Sequence, residues 1–192
     1  MGTRERGGRT EAGALWWWAA PSVALLVGMA LWGIVRYPDL PERIPQHIGG
    51  SGVDAWGERS VGLAFLPVFV YAGLTALLVG CVWGLLRATP LDAMPPPKDR
   101  WAQAEAAGNN RPASAASARA MARALLLTNA LVGVALLPMA WVQWRATQTT
   151  HVSGWLTAAM VLALVASVVP PCLAGWRDSR EKRALRELQR TA

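Results

Sequence analysis

LWWWAAPSVALLVGMALWGIV, residues 15–35, is a run of 21 positions without one Asp, Glu, Lys or Arg. A helix needs about 20 apolar residues to cross a hydrocarbon core about 30 Å thick, so this run is long enough to span. Runs equally free of charge occupy residues 61–86, 124–144 and 151–176. Hydrophobic residues make up 53% of the 192-residue chain and charged ones only 16%, which is not the balance of a soluble domain. Hiding four such helices in a water-soluble core would require amphipathic segments to cover them, and the rest of the chain is too short and polar for that. The sequence therefore predicts an all-α integral membrane protein with four transmembrane helices.

The net charge of +7 points to nucleic acid only until its placement is read. Arg4, Arg6 and Arg9 precede the first run; Arg87, Lys98, Arg100, Arg111, Arg119 and Arg123 fall between the second and third; Arg177, Arg180, Lys182, Arg183, Arg186 and Arg190 follow the fourth. The two remaining connections hold only Arg36, Arg43 and Arg59, and Arg145. Basic residues collect on the cytoplasmic side, so both termini and the middle connection are predicted inside and residues 37–60 outside. The lipid bilayer, not nucleic acid, is the expected partner of these charges. Cys81 and Cys172 both lie within apolar runs, have no metal-ligand spacing, and read as free packing thiols.

The chain divides accordingly. Residues 1–14 read as a disordered cytoplasmic tail, and the run after them exceeds the roughly 7 to 15 residues of a signal-peptide core, so it is expected to stay as the first span. Residues 15–86 form a helical hairpin around the connection 37–60. Residues 87–123 make a cytoplasmic linker with a short polyproline stretch at Pro95, Pro96 and Pro97, and residues 114–123 are expected to extend the third span inward. Residues 124–176 form a second hairpin, and 177–192 a basic tail helix that continues the fourth span into solvent. Pro138, Pro170 and Pro171 are expected to bend or unwind their helices. Trp16, Trp17, Trp18, Trp32, Trp83, Trp141, Trp144, Trp155 and Trp176 sit near span ends, where amphipathic rings anchor at headgroup level.

Within the spans, Ala72, Ala76, Gly80 and Gly84 recur every four residues on one face. Small residues there let another backbone come close, and packing inside the four-helix bundle is the expected use. Asn129 is the most polar side chain at depth, and an interhelical hydrogen bond is its ordinary role because an unpaired amide in hydrocarbon is costly.

Residues 37–60 read YPDLPERIPQHIGGSGVDAWGERS. Pro38, Pro41 and Pro45 make the first half stiff and extended, and Gly49, Gly50, Gly52 and Gly57 permit tight turns. The stretch shows neither helix nor strand periodicity, and a connection of this length is uncommon unless it has a function or is disordered. Its apolar residues and Trp56 favour an ordered Pro/Gly-rich loop. His47 is expected to pin the Pro-rich half to the Gly-rich half by hydrogen bonds; the alternative is that His47, His151 and Asp54 converge on a metal ion or a pH-sensitive site.

The order Tyr37, Pro38, Leu40, Pro41, Ile44, Pro45, His47, then Gly52, then Asp54, Trp56 and Gly57 resembles the signature of the bacterial membrane family called domain of unknown function 1648, which includes toxin-immunity proteins. The resemblance covers residues 15–86. Ile48, Val53 and Arg59 stand where the family more often has an aromatic residue, proline and lysine, and the chain has fewer helices than the immunity proteins. What the resemblance implies is a multi-pass protein of the bacterial plasma membrane, acting in toxin immunity or in sequestering a transcriptional repressor. The eleven signature residues would then form its outer binding surface, for an envelope peptide or toxin, with a soluble regulator met inside. The sequence shows no catalytic constellation, so the expected function is non-enzymatic envelope sensing, signalling or immunity, with no cofactor. A small transporter or channel subunit is the alternative, disfavoured by the lack of ionisable residues within the spans, as is a metal site in the loop, disfavoured by its ligand spacing.

Overall fold

A computed structural model describes residues 14–49, 52–95, 99, 101, 110–145 and 151–191. The N-terminal tail before residue 14, Pro96 and Pro97 of the polyproline stretch, and the alanine-rich segment 102–109 lie outside the described residues. Four helices are long and apolar enough to cross a membrane, over Ala14–Asp39, Leu66–Ala93, Ala115–Gln143 and Gly154–Leu188. Their regular α-helical cores are α1 (Ala20–Arg36), α2 (Leu66–Arg87), α3 (Ala115–Gln143) and α4 (Gly154–Thr191). At 1.5 Å per residue α3 and α4 run about 43 and 57 Å, longer than the roughly 30 Å a hydrocarbon core requires.

The expectation of an all-α chain needs one correction. Between α1 and α2 lies an antiparallel β-hairpin, β1 (Arg43–Gly49) and β2 (Gly52–Glu58). Its residues show no alternation in the sequence because the ladder is irregular. Pro45 pairs with Trp56, His47 with Ala55 and Ile48 with Val53, so Gln46 on one strand and Asp54 on the other are both skipped. Two opposed bulges restore the register while breaking the period of two on which a strand reading depends. Gly52 closes the turn with a φ of 125°, a conformation that side chains with a Cβ rarely adopt.

Ser60 then caps a single helical turn, Val61–Ala64, by accepting the Leu63 N–H. The turn breaks at Phe65 (φ −100°, ψ 11°) because Pro67, at the start of α2, has no N–H to offer and its ring crowds the carbonyl four residues back, that of Leu63. The chain supplies replacement donors from α3: Gln143 Nε2 donates to the Leu63 carbonyl, and Trp144 Nε1 donates to that of Ala64 at 2.9 Å. Trp144 is only 1% exposed, so this ring is a core residue and not the headgroup anchor that its place at a span end suggested. The indole lies 5.4 Å from Trp32 and 6.2 Å from Phe65.

Helix α3 is the centre of the bundle; α1, α2 and α4 each pack on it more extensively than on one another. Its buried positions are mostly small, among them Ala118, Ala122, Ala130 and Gly133, which lets three neighbours approach closely. From α2 the side chains of Val68, Tyr71 and Val82 are buried, and Thr75 exchanges hydrogen bonds with Asn129, itself fully buried (Thr75 Oγ1 to Asn129 Oδ1 3.2 Å, Asn129 Nδ2 to Thr75 Oγ1 3.1 Å). This row replaces the expected one. Ala76, Gly80 and Gly84 are exposed, and a Cβ added to either glycine would meet nothing within 4 Å, so the small-residue stripe faces away from the bundle. The stripe and the buried row are centred more than about a third of a turn apart on α2, and the sequence pattern alone does not choose between them. The α-helix also runs unbroken through Pro138, Pro170 and Pro171.

At the end opposite the hairpin, Asp178 of α4 is 7% exposed and is tied to the start of α3, accepting from the Ala113 N–H (2.8 Å) and the Ser117 hydroxyl. Lys182, one turn on, pairs with it at 2.6 Å. The exit of α2 joins the same junction, because Leu91 and Asp92 donate their N–H groups to the carbonyls of Pro112 and Ala113. The tail helix is therefore anchored at its root and not merely a solvated continuation.

Candidate functional site: the hairpin between α1 and α2

The hairpin is held to the bundle by three separate devices. Leu40 and Ile44, 4% and 0% exposed, enter the apolar cluster of Met29, Ala64, Val68, Tyr71, Ala140 and Trp144. Burying two such side chains contributes about 1.5–3 kcal/mol each. Val53 of β2 packs with Val142 and Leu156, joining the hairpin to α3 and α4, with Trp56 partly buried against them. Arg59, just past β2, reaches back under the base: its Nη1 donates to the carbonyls of Leu40 (2.6 Å) and Pro38 (3.4 Å), and its guanidinium lies 5.7 Å from the Tyr37 ring centre. The Arg59 N–H closes the base on the Glu42 carbonyl at 2.7 Å.

Gly57 shows why a small residue stands where the strand crosses the bundle, since a Cβ there would lie 2.6 Å from Leu63 Cδ2. Pro45 is buried opposite Trp56. Tyr37 and Pro38 form the single 3-10 turn Tyr37–Asp39 that ends the first span, with proline at the position where its missing N–H costs nothing.

Of the eleven signature residues, Pro38, His47 and Asp54 are the exposed ones. His47 Nδ1 lies 2.6 Å from Asp54 Oδ1, across the two strands. The bulge at Asp54 brings the carboxylate to the ring, and both side chains of the pair stay exposed. Gln46 and Glu58 are exposed on the same hairpin. Among the described residues no group of three His, Cys, Asp or Glu side chains is placed to hold a metal ion, so His47, Asp54 and His151 do not form the three-ligand site considered from sequence. Arg145 instead turns toward the His151 carbonyl, at 3.4 Å. Arg59, Thr75, Gln143 and Asp178 are the polar residues that sequence reasoning did not single out for these roles; each acts through a distant partner that no local pattern announces.

Four helices long and apolar enough to cross a membrane, with a structured hairpin between the first two, define a multi-pass membrane-type protein in a lipid bilayer environment. Residues 24–70 match the family model of a domain of unknown function, DUF1648. The match begins in α1, takes in the whole hairpin and ends in α2, so the family pattern and the docked hairpin are one segment. No curated protein and no solved structure matches the chain.

Proposed function

We propose that this chain is a non-enzymatic protein of the bacterial plasma membrane, with both termini in the cytoplasm, whose hairpin faces outward and recognises a peptide or toxin of the cell envelope. The observation that supports it most is the division of labour in the hairpin. Most of its signature residues hold it down, while His47 and Asp54 are fixed to each other on its free face. A polar pair fixed in place before binding suits recognition, because little side-chain freedom is left to lose. The charge distribution supports the orientation, and the basic ends of α2 and α4 supply a surface for a soluble regulator inside. Immunity and signalling are both outputs of such a protein.

The test places a photoreactive amino acid at Gln46 of the full chain in its native membrane, with Arg186 as the reference site. An envelope or secreted peptide should be trapped at Gln46 and not at Arg186, and Asp54→Ala should abolish trapping without changing the unfolding temperature. Adducts only to cytoplasmic proteins at Gln46, or trapping unaffected by Asp54→Ala, would refute the proposal.

A further inference from the structure

Three tryptophans fix the height of the hairpin against the bilayer. Trp32 on α1, Trp141 on α3 and Trp155 on α4 all stand near the hairpin end of their helices. Trp32 is half-buried, and the other two are 51% and 69% exposed. Indole rings on the outside of a bundle collect at the headgroup level. Trp32 and Trp141 belong to one layer, since their ring centres are 5.3 Å apart. Trp176 lies 21 residues beyond Trp155 on α4, about 32 Å at 1.5 Å per residue. That matches a hydrocarbon core about 30 Å thick, so Trp155 and Trp176 mark its two faces. Trp176 is 54% exposed and has the Arg180 guanidinium 4.8 Å from its ring centre, as suits a polar boundary.

The hairpin is seated at this level. Val53 of β2 shares a buried cluster with Val142 and Leu156, the immediate neighbours in sequence of Trp141 and Trp155. One residue along a helix is about 1.5 Å, which puts Val53 at the height of the tryptophans. The base of the hairpin sits deeper. Leu40 and Ile44 enter the cluster that includes Met29, three residues and about 4.5 Å inward of Trp32. Asp54 follows Val53, so its Cα is about 3.8 Å away, and its carboxylate holds His47. The polar layer outside the hydrocarbon is about 5–8 Å deep on each side, which is enough to contain the pair.

From these heights we infer that the hairpin lies in the headgroup layer of the adjoining leaflet, with its exposed side chains among lipid headgroups and not in bulk water. Glu42, Gln46, His47, Asp54 and Glu58, all exposed, then meet headgroup phosphates, ammonium groups and interfacial water. A molecule that reaches the His47–Asp54 pair does so along the membrane surface. This inference needs the bilayer but neither the proposed orientation nor a peptide partner.

The experiment uses the full-length protein in phosphatidylcholine nanodiscs in which some headgroups carry a nitroxide quencher. A nitrobenzoxadiazole label is attached to Gln46→Cys or Glu58→Cys, with Cys81 and Cys172 replaced by alanine. Trp155→Cys is the reference at headgroup level, and Arg186→Cys the reference in water, ten residues and about 15 Å beyond Trp176. Labels at positions 46 and 58 should lose emission to the extent seen at position 155, while the label at 186 keeps it. Wild-type protein gives an independent reading, because a phospholipid with a photoreactive headgroup should leave adducts on residues 42–58. Labels at 46 and 58 as unquenched as the one at 186, stronger quenching there by a nitroxide at mid-chain than at the headgroup, or a wild-type hairpin without adducts would each overturn the inference.

Discussion

Gly33 and Gly28 lie on the same helix, and replacing each by alanine should move stability in opposite directions. A Cβ on Gly33 would come within 2.7 Å of Trp144 Cζ2 and 2.8 Å of Phe65 Cε1, whereas one on Gly28 would meet nothing within 4 Å. The indole has little room to retreat, because it is hydrogen-bonded to the Ala64 carbonyl and flanked by Trp32, and the half-buried Phe65 ring has Tyr37 and Phe69 on its other sides. Both substitutions gain up to about 1 kcal/mol of helix propensity. Only Gly33→Ala also overpacks a core, at a cost of about 1–3 kcal/mol. The propensity gain is common to both and cancels, so Gly33→Ala should be less stable than Gly28→Ala by about 1–3 kcal/mol, or roughly 5- to 150-fold in the unfolding constant. Reversible unfolding in mixed micelles, followed by helical circular dichroism, measures the difference. Gly33→Ala equal to or more stable than Gly28→Ala would mean that α1 does not approach Trp144 in the way described.

Thr75→Val keeps the side-chain volume but leaves the buried Asn129 amide without its partner, so it should cost about 0.6–1.7 kcal/mol in the same assay; no loss would show that the amide is satisfied elsewhere. Arg59→Ala should speed amide hydrogen exchange across residues 43–58 while leaving α4 unchanged, and unaltered protection of the hairpin would exclude Arg59 as its latch. Gly80→Leu and Gly84→Leu should leave the unfolding midpoint of the isolated chain within error, since both positions open away from the bundle; a clear loss would put a second packing surface there. In a background with Cys81 and Cys172 replaced by alanine, Ser60→Cys and His151→Cys should react with an impermeant reagent from outside. Arg111→Cys and Arg186→Cys should react only after permeabilisation, and the reverse pattern would invert the proposed orientation.

The four spans were legible because a charge-free run longer than about 18 residues has few other physical solutions. The identity of the segment 24–70 was legible from the spacing of its prolines, glycines, His47 and Trp56. Its strands were not, because the paired bulges at Gln46 and Asp54 remove the alternation, and Pro45 argues locally against a ladder. Which face of α2 packs was not legible either: small residues favour a contact at Gly80 and Gly84, but the ring of Tyr71 and the Thr75 to Asn129 pair turn the helix the other way. The burial of Trp144 and Asp178 was not legible for the same reason. Each lies at a span end, where its type suggests interface or solvent, and each is buried by a partner more than 60 residues away in sequence.

Because α3 is the helix on which the other three lean, the order of synthesis matters. When the ribosome has delivered α1, the hairpin and α2, the Tyr71 ring and the Thr75 hydroxyl still lack the wall that Gly133 and Asn129 will provide, and the Leu63 and Ala64 carbonyls still await Gln143 and Trp144. The first half of the nascent chain is thus inserted before it is assembled. Part of the hairpin's seat, at Ala140 and Trp144, arrives only with the far end of α3, some 80 residues later in translation. A chain truncated before residue 115 would keep the entire matched segment and yet hold it without its seat, leaving a substrate for membrane quality-control proteolysis rather than a minimal working domain.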